Sequence, residues 1–208
     1  MATTTKFTGT TDISAFTAKD ISALTPADLA VFSKTQAAAL TSDLMAGFSA
    51  TTLPAIAGVF KSIPTDALSG ISAKAIAGLP IKSLTVDQVK ALDGASQLAA
   101  LSSTQVATLS KAQITAIGDD DIANLNLAGV TIANIDSTKF DNLSIAQISK
   151  LSSAQIAGLT VAQIGAITID QAPAFTAAQA PFVKTFANFA WGNNLSLIHI
   201  SEPTRPER

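Results

Sequence analysis

The chain has 208 residues, 48% of them hydrophobic and 13% charged, with no cysteine, a formal charge of −2 and a mean hydropathy of +0.38. This inventory excludes a disordered tail, a disulfide framework, thiolate metal sites and a cysteine nucleophile. Basic and acidic residues are interspersed without blocks, which argues against nucleic acid as a partner and predicts one globular or repetitive unit.

Residues 1–15 are a Thr-rich N-terminal leader. They carry Lys6 but no apolar core of the kind a signal peptide needs, so no N-terminal export signal is predicted. Farther along, Ser, Thr, Asp, Lys or Gln interrupts every apolar stretch well before the ~18 residues a membrane helix requires, and no transmembrane segment is predicted.

From Phe16 to Phe175 the chain repeats every eight residues. A unit reads apolar, Ser/Thr, two variable positions, Gln/Asp, apolar, then two mostly small residues; the clearest copies are Leu143-SIAQISK, Leu151-SSAQIAG and Leu159-TVAQIGA. Sixteen steps of eight are joined by irregular steps of seven (Ile56 to Ile63), five (Leu79 to Leu84), nine (Leu92 to Leu101) and ten (Leu125 to Ile135). In the sixteen octads the second position is Ser or Thr in thirteen, and the sixth is apolar in all. The fifth is Gln in eight and Asp in three.

Strands are disfavoured because the two apolar positions, first and sixth, have opposite parity and would face opposite sides of a sheet. One continuous helix fails as well. Eight residues advance an α-helix by about 800°, so an apolar stripe would drift by about 80° per repeat and circle the helix. The helix must stop and restart, and Ser/Thr followed three residues later by Gln is the capping box that restarts it. Pro26, Pro54, Pro64 and Pro80 suit first turns and corners. Each octad then predicts a cap and one to one and a half helical turns, far too short to hold alone. Two buried apolar side chains per repeat, at about 1.5–3 kcal/mol each, stabilise such turns only if neighbours pack on one another. The predicted fold is all-α: a quasi-solenoid of very short capped helices built from eight-residue repeats.

Candidate sites are few. Asp119, Asp120 and Asp121 form the one acidic cluster and could offer carboxylates to a hard cation, but EF-hand spacing is absent and Asp121 falls on the octad's own Gln/Asp position. The many hydroxyls are read as caps; before residue 199 there is neither His nor Glu to activate them. Gln side chains could form an exposed polar ladder for a partner, although capping explains them. Lys111, Lys139 and Lys150 read as solvated surface. The sequence thus predicts no catalytic residue, no metal, no cofactor and no enzymatic activity within the repeats.

Phe182, Phe186 and Phe189, with Val183 beside them and Trp191 beyond, follow at helical spacing. Residues 176–194 are predicted to be an amphipathic capping or junction helix, with Lys184 as its one charge. Every Arg, every Glu and the single His199 lie in the last ten residues, whereas residues 1–194 carry eleven Lys and thirteen Asp. Leu195 to Arg205, LSLIHISEPTR, resembles the translation of transposase-adapter DNA used in sequencing libraries. Residues 195–208 are therefore expected to be adapter-derived, with the natural chain continuing differently beyond Asn194.

The L-[S/T]-x-x-Q-[I/V]-x-x octads between Phe16 and Phe175 resemble repeats of very large bacterial surface or secreted proteins of the adhesin type. That resemblance implies an extracellular structural or adhesive role with a protein or cell-surface partner. An intracellular protein-binding α-solenoid and an accessory region of a longer enzyme are the alternatives.

Overall fold

The structure, a computed structural model, describes residues 7–175 and residue 179. The expected segment 176–194, apart from Gln179, and the expected adapter-derived segment 195–208 lie outside the described residues. Among the described residues the chain is helical and no strand occurs. Among the described residues ten α-helices of four to six residues, in runs separated by 3₁₀ segments and one π-turn (Gly94–Leu98), are α1 (Ala18–Ser22), α2 (Pro26–Leu29), α3 (Lys34–Ala38), α4 (Ser42–Met45), α5 (Val86–Lys90), α6 (Ser103–Ala107), α7 (Lys111–Ala116), α8 (Ile145–Ser149), α9 (Ser153–Ala157) and α10 (Val161–Gly165). The chain divides into two compact units, Met1–Asn126 and Leu127–Arg208, and the division falls inside the irregular ten-residue step.

Helices start where the sequence places a cap. Thr17, Thr25, Ser33, Thr85, Ser102, Ser110, Ser144, Ser152 and Thr160 each form a capping box with the Asp or Gln three residues on. Thr41 caps α4 through Leu44 N–H alone, because Leu44 has no polar atom to return the bond. Pro26 sits in the first turn of α2, where its missing N–H leaves no bond unmade.

Each repeat ends the same way. The N–H of the next repeat's first residue donates to the carbonyl three residues earlier, as in Leu92 to Val89, Leu109 to Val106, Leu151 to Ile148 and Ile167 to Ile164. Both residues of this closing turn are apolar, and those eight side chains are all buried. This explains why the first and sixth positions are apolar together: they flank one tight turn and point into the core of their unit. Near one end of the first unit the core becomes aromatic, with the Phe7 and Phe32 rings stacked at 5.5 Å and Phe48 edge-on to Phe32 at 6.5 Å.

Irregular steps keep the closing turn and change what precedes it. Leu84 N–H closes on Ile81, Ile63 on Phe60 and Leu101 on Leu98, although their repeats have five, seven and nine residues. The ten-residue step is two five-residue repeats in succession: Val130 N–H closes on Leu127 and Ile135 N–H on Ile132, and all four residues are buried. Gly129, at φ 79°, precedes Val130 in the left-handed region that glycine adopts without strain. Shorter repeats have no room for an α-turn, so Ile81–Ser83 and Ile132–Asn134 are 3₁₀.

Candidate functional site

The chemistry-bearing positions of the octad converge on one recurring arrangement centred on the fifth residue. In α5 the Thr85 hydroxyl accepts from Gln88 N–H at 3.1 Å while Gln88 Oε1 accepts from Thr85 N–H at 2.9 Å. The other end of the same carboxamide reaches another repeat: Gln88 Nε2 donates to the carbonyls of Phe60 and Ile63, both at 2.8 Å. Those two carbonyls belong to a closing turn. One glutamine thus completes the start of its own helix and the end of a turn 25 and 28 residues earlier.

The arrangement recurs. Gln36 donates to Thr8 and Thr11, Gln97 to Leu68 and Ile71, Gln105 to Ile76 and Leu79, and Gln113 to Leu84. In the second unit Gln155 donates to Leu127 and Val130, Gln163 to Ile132 and Ile135, Gln171 to Phe140 and Leu143, and Gln179 to Ser149 and Leu151. Counted in residues the reach varies from 25 to 31. Counted in repeats it is constant, because three repeat boundaries and one half-repeat always separate the glutamine from the turn beneath it. Between the turn that ends at Ile63 and Gln88, for instance, lie Ile71, Leu79 and Leu84.

Burial agrees with this double duty. Gln88, Gln97 and Gln163 are each 2% exposed, and among the described residues no buried side-chain nitrogen or oxygen lacks a partner. A buried carboxamide left unpaired would cost about 1–3 kcal/mol, so its in-register use is a structural requirement. The Gln side chains are therefore occupied within the fold and do not form an exposed ladder. Sequence reasoning found the cap and missed the second bond; its visible trace is that Gln alternates with Asp, a residue of similar capping power and no donor.

Asp20 and Asp28 show the contrast. Asp20 Oδ2 accepts from Thr17 N–H at 2.8 Å and Thr17 Oγ at 2.7 Å, and Asp28 Oδ2 accepts likewise from Thr25 at 2.9 and 2.6 Å. The Thr17 hydroxyl, then its N–H, holds the Asp20 carboxyl below the ordinary carboxylate range. Ser96 does the same for Asp93, through its hydroxyl and then its N–H.

Glycine replaces glutamine in a second kind of contact. Where the fifth residue is Leu44, Ala67 or Ala75, the octad ends in Gly47, Gly70 or Gly78. A Cβ on these would lie 2.2, 1.8 and 1.9 Å from the carbonyl oxygens of Ala18, Ser42 and Ala50. Backbone meets backbone there, and no larger residue fits.

The remaining candidates are placed as follows. Asp121 precedes the 3₁₀ turn Ile122–Asn124 without a side-chain cap bond, and its carboxylate lies over Gly94, where a Cβ would be 1.8 Å from Oδ1. Among the described residues no group of three or more His, Cys, Asp or Glu is placed to hold a metal ion. Lys111 and Lys150 are exposed. Lys139 departs from the expected surface role: it occupies the fifth position of its octad and is 9% exposed. No helix among the described residues is long and apolar enough to cross a membrane.

The family model described as the ALTTAQ repeat matches residues 132–169. No curated protein and no solved structure matches the chain. The matched span holds the Leu143, Leu151 and Leu159 octads, in which the closing turns and the Ser/Thr–Gln boxes follow one another without interruption, so residues 132–169 are a repeat region similar to the ALTTAQ repeat.

Proposed function

We propose that the chain is a non-catalytic structural or interaction segment, a quasi-solenoid in which octads are laid in tiers of about three and a half repeats, each repeat bridging the joint between two repeats of the tier beneath. The observation that carries this reading is the double engagement of the glutamines. Side chains that could recognise a ligand through both a donor and an acceptor are consumed in holding tiers at a fixed spacing. Such an array suits a spacer or scaffold within a longer bacterial protein, and the octad resemblance favours a surface-exposed or secreted, adhesin-like one.

Whole-repeat deletion tests the proposal. Removing Leu151–Gly158 leaves every later glutamine three and a half repeats above a closing turn, so the shortened chain keeps its helical circular dichroism and cooperative unfolding. Removing only Leu151–Ala154 shifts the register by half a repeat and abolishes both. A chain that tolerates neither deletion, or both equally, contradicts the tiered spacer.

A further inference from the structure

We infer that the second unit pairs, two-fold and antiparallel, with the second unit of another copy of this chain, through the side that carries Ile145, Ile169, Asp141, Asp170 and Lys150. The inference goes beyond the spacer reading, since it names a partner, and rests on that reading only for the stacking of one repeat on another.

Large apolar side chains stand exposed at the third position of the octad in Val86, Ile145, Val161 and Ile169. Two of these have polar neighbours. α5 packs on α7, whose octad carries Lys111 at that position, and α10 packs on Ser137–Asn142, whose octad carries Ser137 there. Apolar residues exposed singly in this way are ordinary surface. Ile145 and Ile169 differ because the fold brings them together. α8 packs against Ala172–Ala174, and Gln171, two residues after Ile169, donates to the carbonyls of Phe140 and Leu143, both at 2.7 Å. Leu143 is in turn two residues before Ile145. Thr168 and Gln171 exchange cap bonds at 2.9 and 3.2 Å, so Ile169 holds the first-turn place that Ile145 holds in α8. Two β-branched side chains, 55% and 80% exposed, therefore share one side of the unit in successive tiers.

The charges on this side select the partner. Asp141, just ahead of α8, and Asp170, beside Ile169, are exposed at one end of the apolar pair. Lys150, the C-cap of α8, is exposed at the other end. Between Asp141 and Asp170 it is the one charged residue in the sequence. The side thus reads acidic, apolar, basic. A second copy laid parallel would set acid against acid and Lys150 against Lys150. Laid antiparallel about a two-fold axis through the isoleucines, each Lys150 meets Asp141 and Asp170 of the other copy, and the apolar centres cover one another. Such an interface is self-complementary and closes at two copies. The patch is small beside the roughly 800 Å² per partner of a stable complex, so the pairing is weak and concentration-dependent.

Sedimentation equilibrium of the full chain tests the pairing. The weight-average mass of the wild type is expected to rise with concentration from the monomer value towards twice that value. Lys150→Asp makes both ends acidic and Asp141→Lys/Asp170→Lys makes both basic, so each variant alone stays at the monomer mass. Mixed in equal amounts they associate again, because each supplies the charge the other lacks. Ile145→Ser/Ile169→Ser, which uses the residue that Ser103 and Ser153 already place in the first turn, also stays at the monomer mass. A wild type that remains monomeric or passes twice the monomer mass overturns the pairing. So does an Ile or charge variant that associates as the wild type does, or a mixture of charge variants no heavier than either alone. The Leu151–Ala154 deletion keeps this failure apart from failure of the tiers: if it abolishes cooperative unfolding while the wild type stays monomeric, the pairing alone falls.

Discussion

Two successive stretches of the first unit solve the same contact in different ways. Between Leu40 and Leu84 the fifth positions are Leu44, Thr52, Ala67 and Ala75; segments Asp66–Gly70 and Ala75–Gly78 are 3₁₀, and Gly47, Gly70 and Gly78 press onto carbonyls of earlier repeats. Between Leu84 and Ile117 four glutamines bridge the gap, the octad helices are α, and the eighth positions are Ala91, Thr108 and Ala116. Glutamine supplies both a reciprocal cap and a polar spacer. Without it Asp66–Gly70 and Ala75–Gly78 lose an acceptor for a free N–H and tighten to 3₁₀, whereas α4, capped by Thr41 alone, stays α; in all three octads the backbones approach until only glycine fits at the eighth position. The comparison teaches that in the Leu40, Ile63 and Ile71 octads a tight glycine contact stands where a glutamine bridge is absent, whereas Gly158, beside Gln155, has room for a Cβ and makes no such contact.

The sharpest way to break the comparison is to put a Cβ into the glycine stretch. Gly70→Ala drives a methyl to 1.8 Å from Ser42 O, and urea unfolding should show a loss of about 3 kcal/mol or more. Gly165→Ala, in a helix and with open space around the new methyl, should gain about 0.4–1 kcal/mol. Equal effects at the two sites would remove the case for close backbone contact.

Next in size is the loss of a bridge. Gln88→Ala removes a buried side chain, its cap bond and two donors to carbonyls, and should cost about 2–4 kcal/mol by the same measurement. Gln105, which is only half-buried, should lose less on the same change. Gln88→Glu sharpens the point through pH. Its carboxyl would face two carbonyl oxygens in a buried place, which raises its folded pKa above the unfolded value. The folded state then binds more protons, so stability should fall as pH rises through the carboxylate range and recover on acidification. A pH-independent Gln88→Glu variant would mean that the amide does not meet those carbonyls.

The smallest effect concerns the aspartates. Asp20 and Asp93 have folded pKa values lowered by Thr17 and Ser96, so their contribution is present above the unfolded pKa and is lost as pH falls through the folded one. Acid titration of thermal unfolding should show a shallow decline below about pH 4, and Asp20→Asn or Asp93→Asn should flatten it. Both carboxylates are exposed, which keeps the slope small.

Helical class, repeat length, cap positions and buried pairs were legible because each depends on residues at most eight apart. Leu143-SIAQISK contains its own cap, turn and core residues. The second bond of glutamine was not legible, since it depends on how many residues complete a tier, a quantity set by packing and varying from 25 to 31. The ten-residue step misled for a related reason: Val130 is a first-position residue, but its repeats lack the Ser/Thr–Gln signature by which the others are found. Lys139 was read as solvated because its charge was weighed before its octad position.

The limited reach of the glutamine bonds also bears on how the protein is made. No such bond described above spans more than 31 residues, so closing the loop it completes carries a modest entropic cost that does not grow with the length of the array. A nascent chain need not wait for its distant parts: once about one tier more has left the ribosome, the preceding closing turns have their partners. Folding can keep pace with synthesis, and a protein many times this length, built to the same rule, would fold no more slowly per tier than this one.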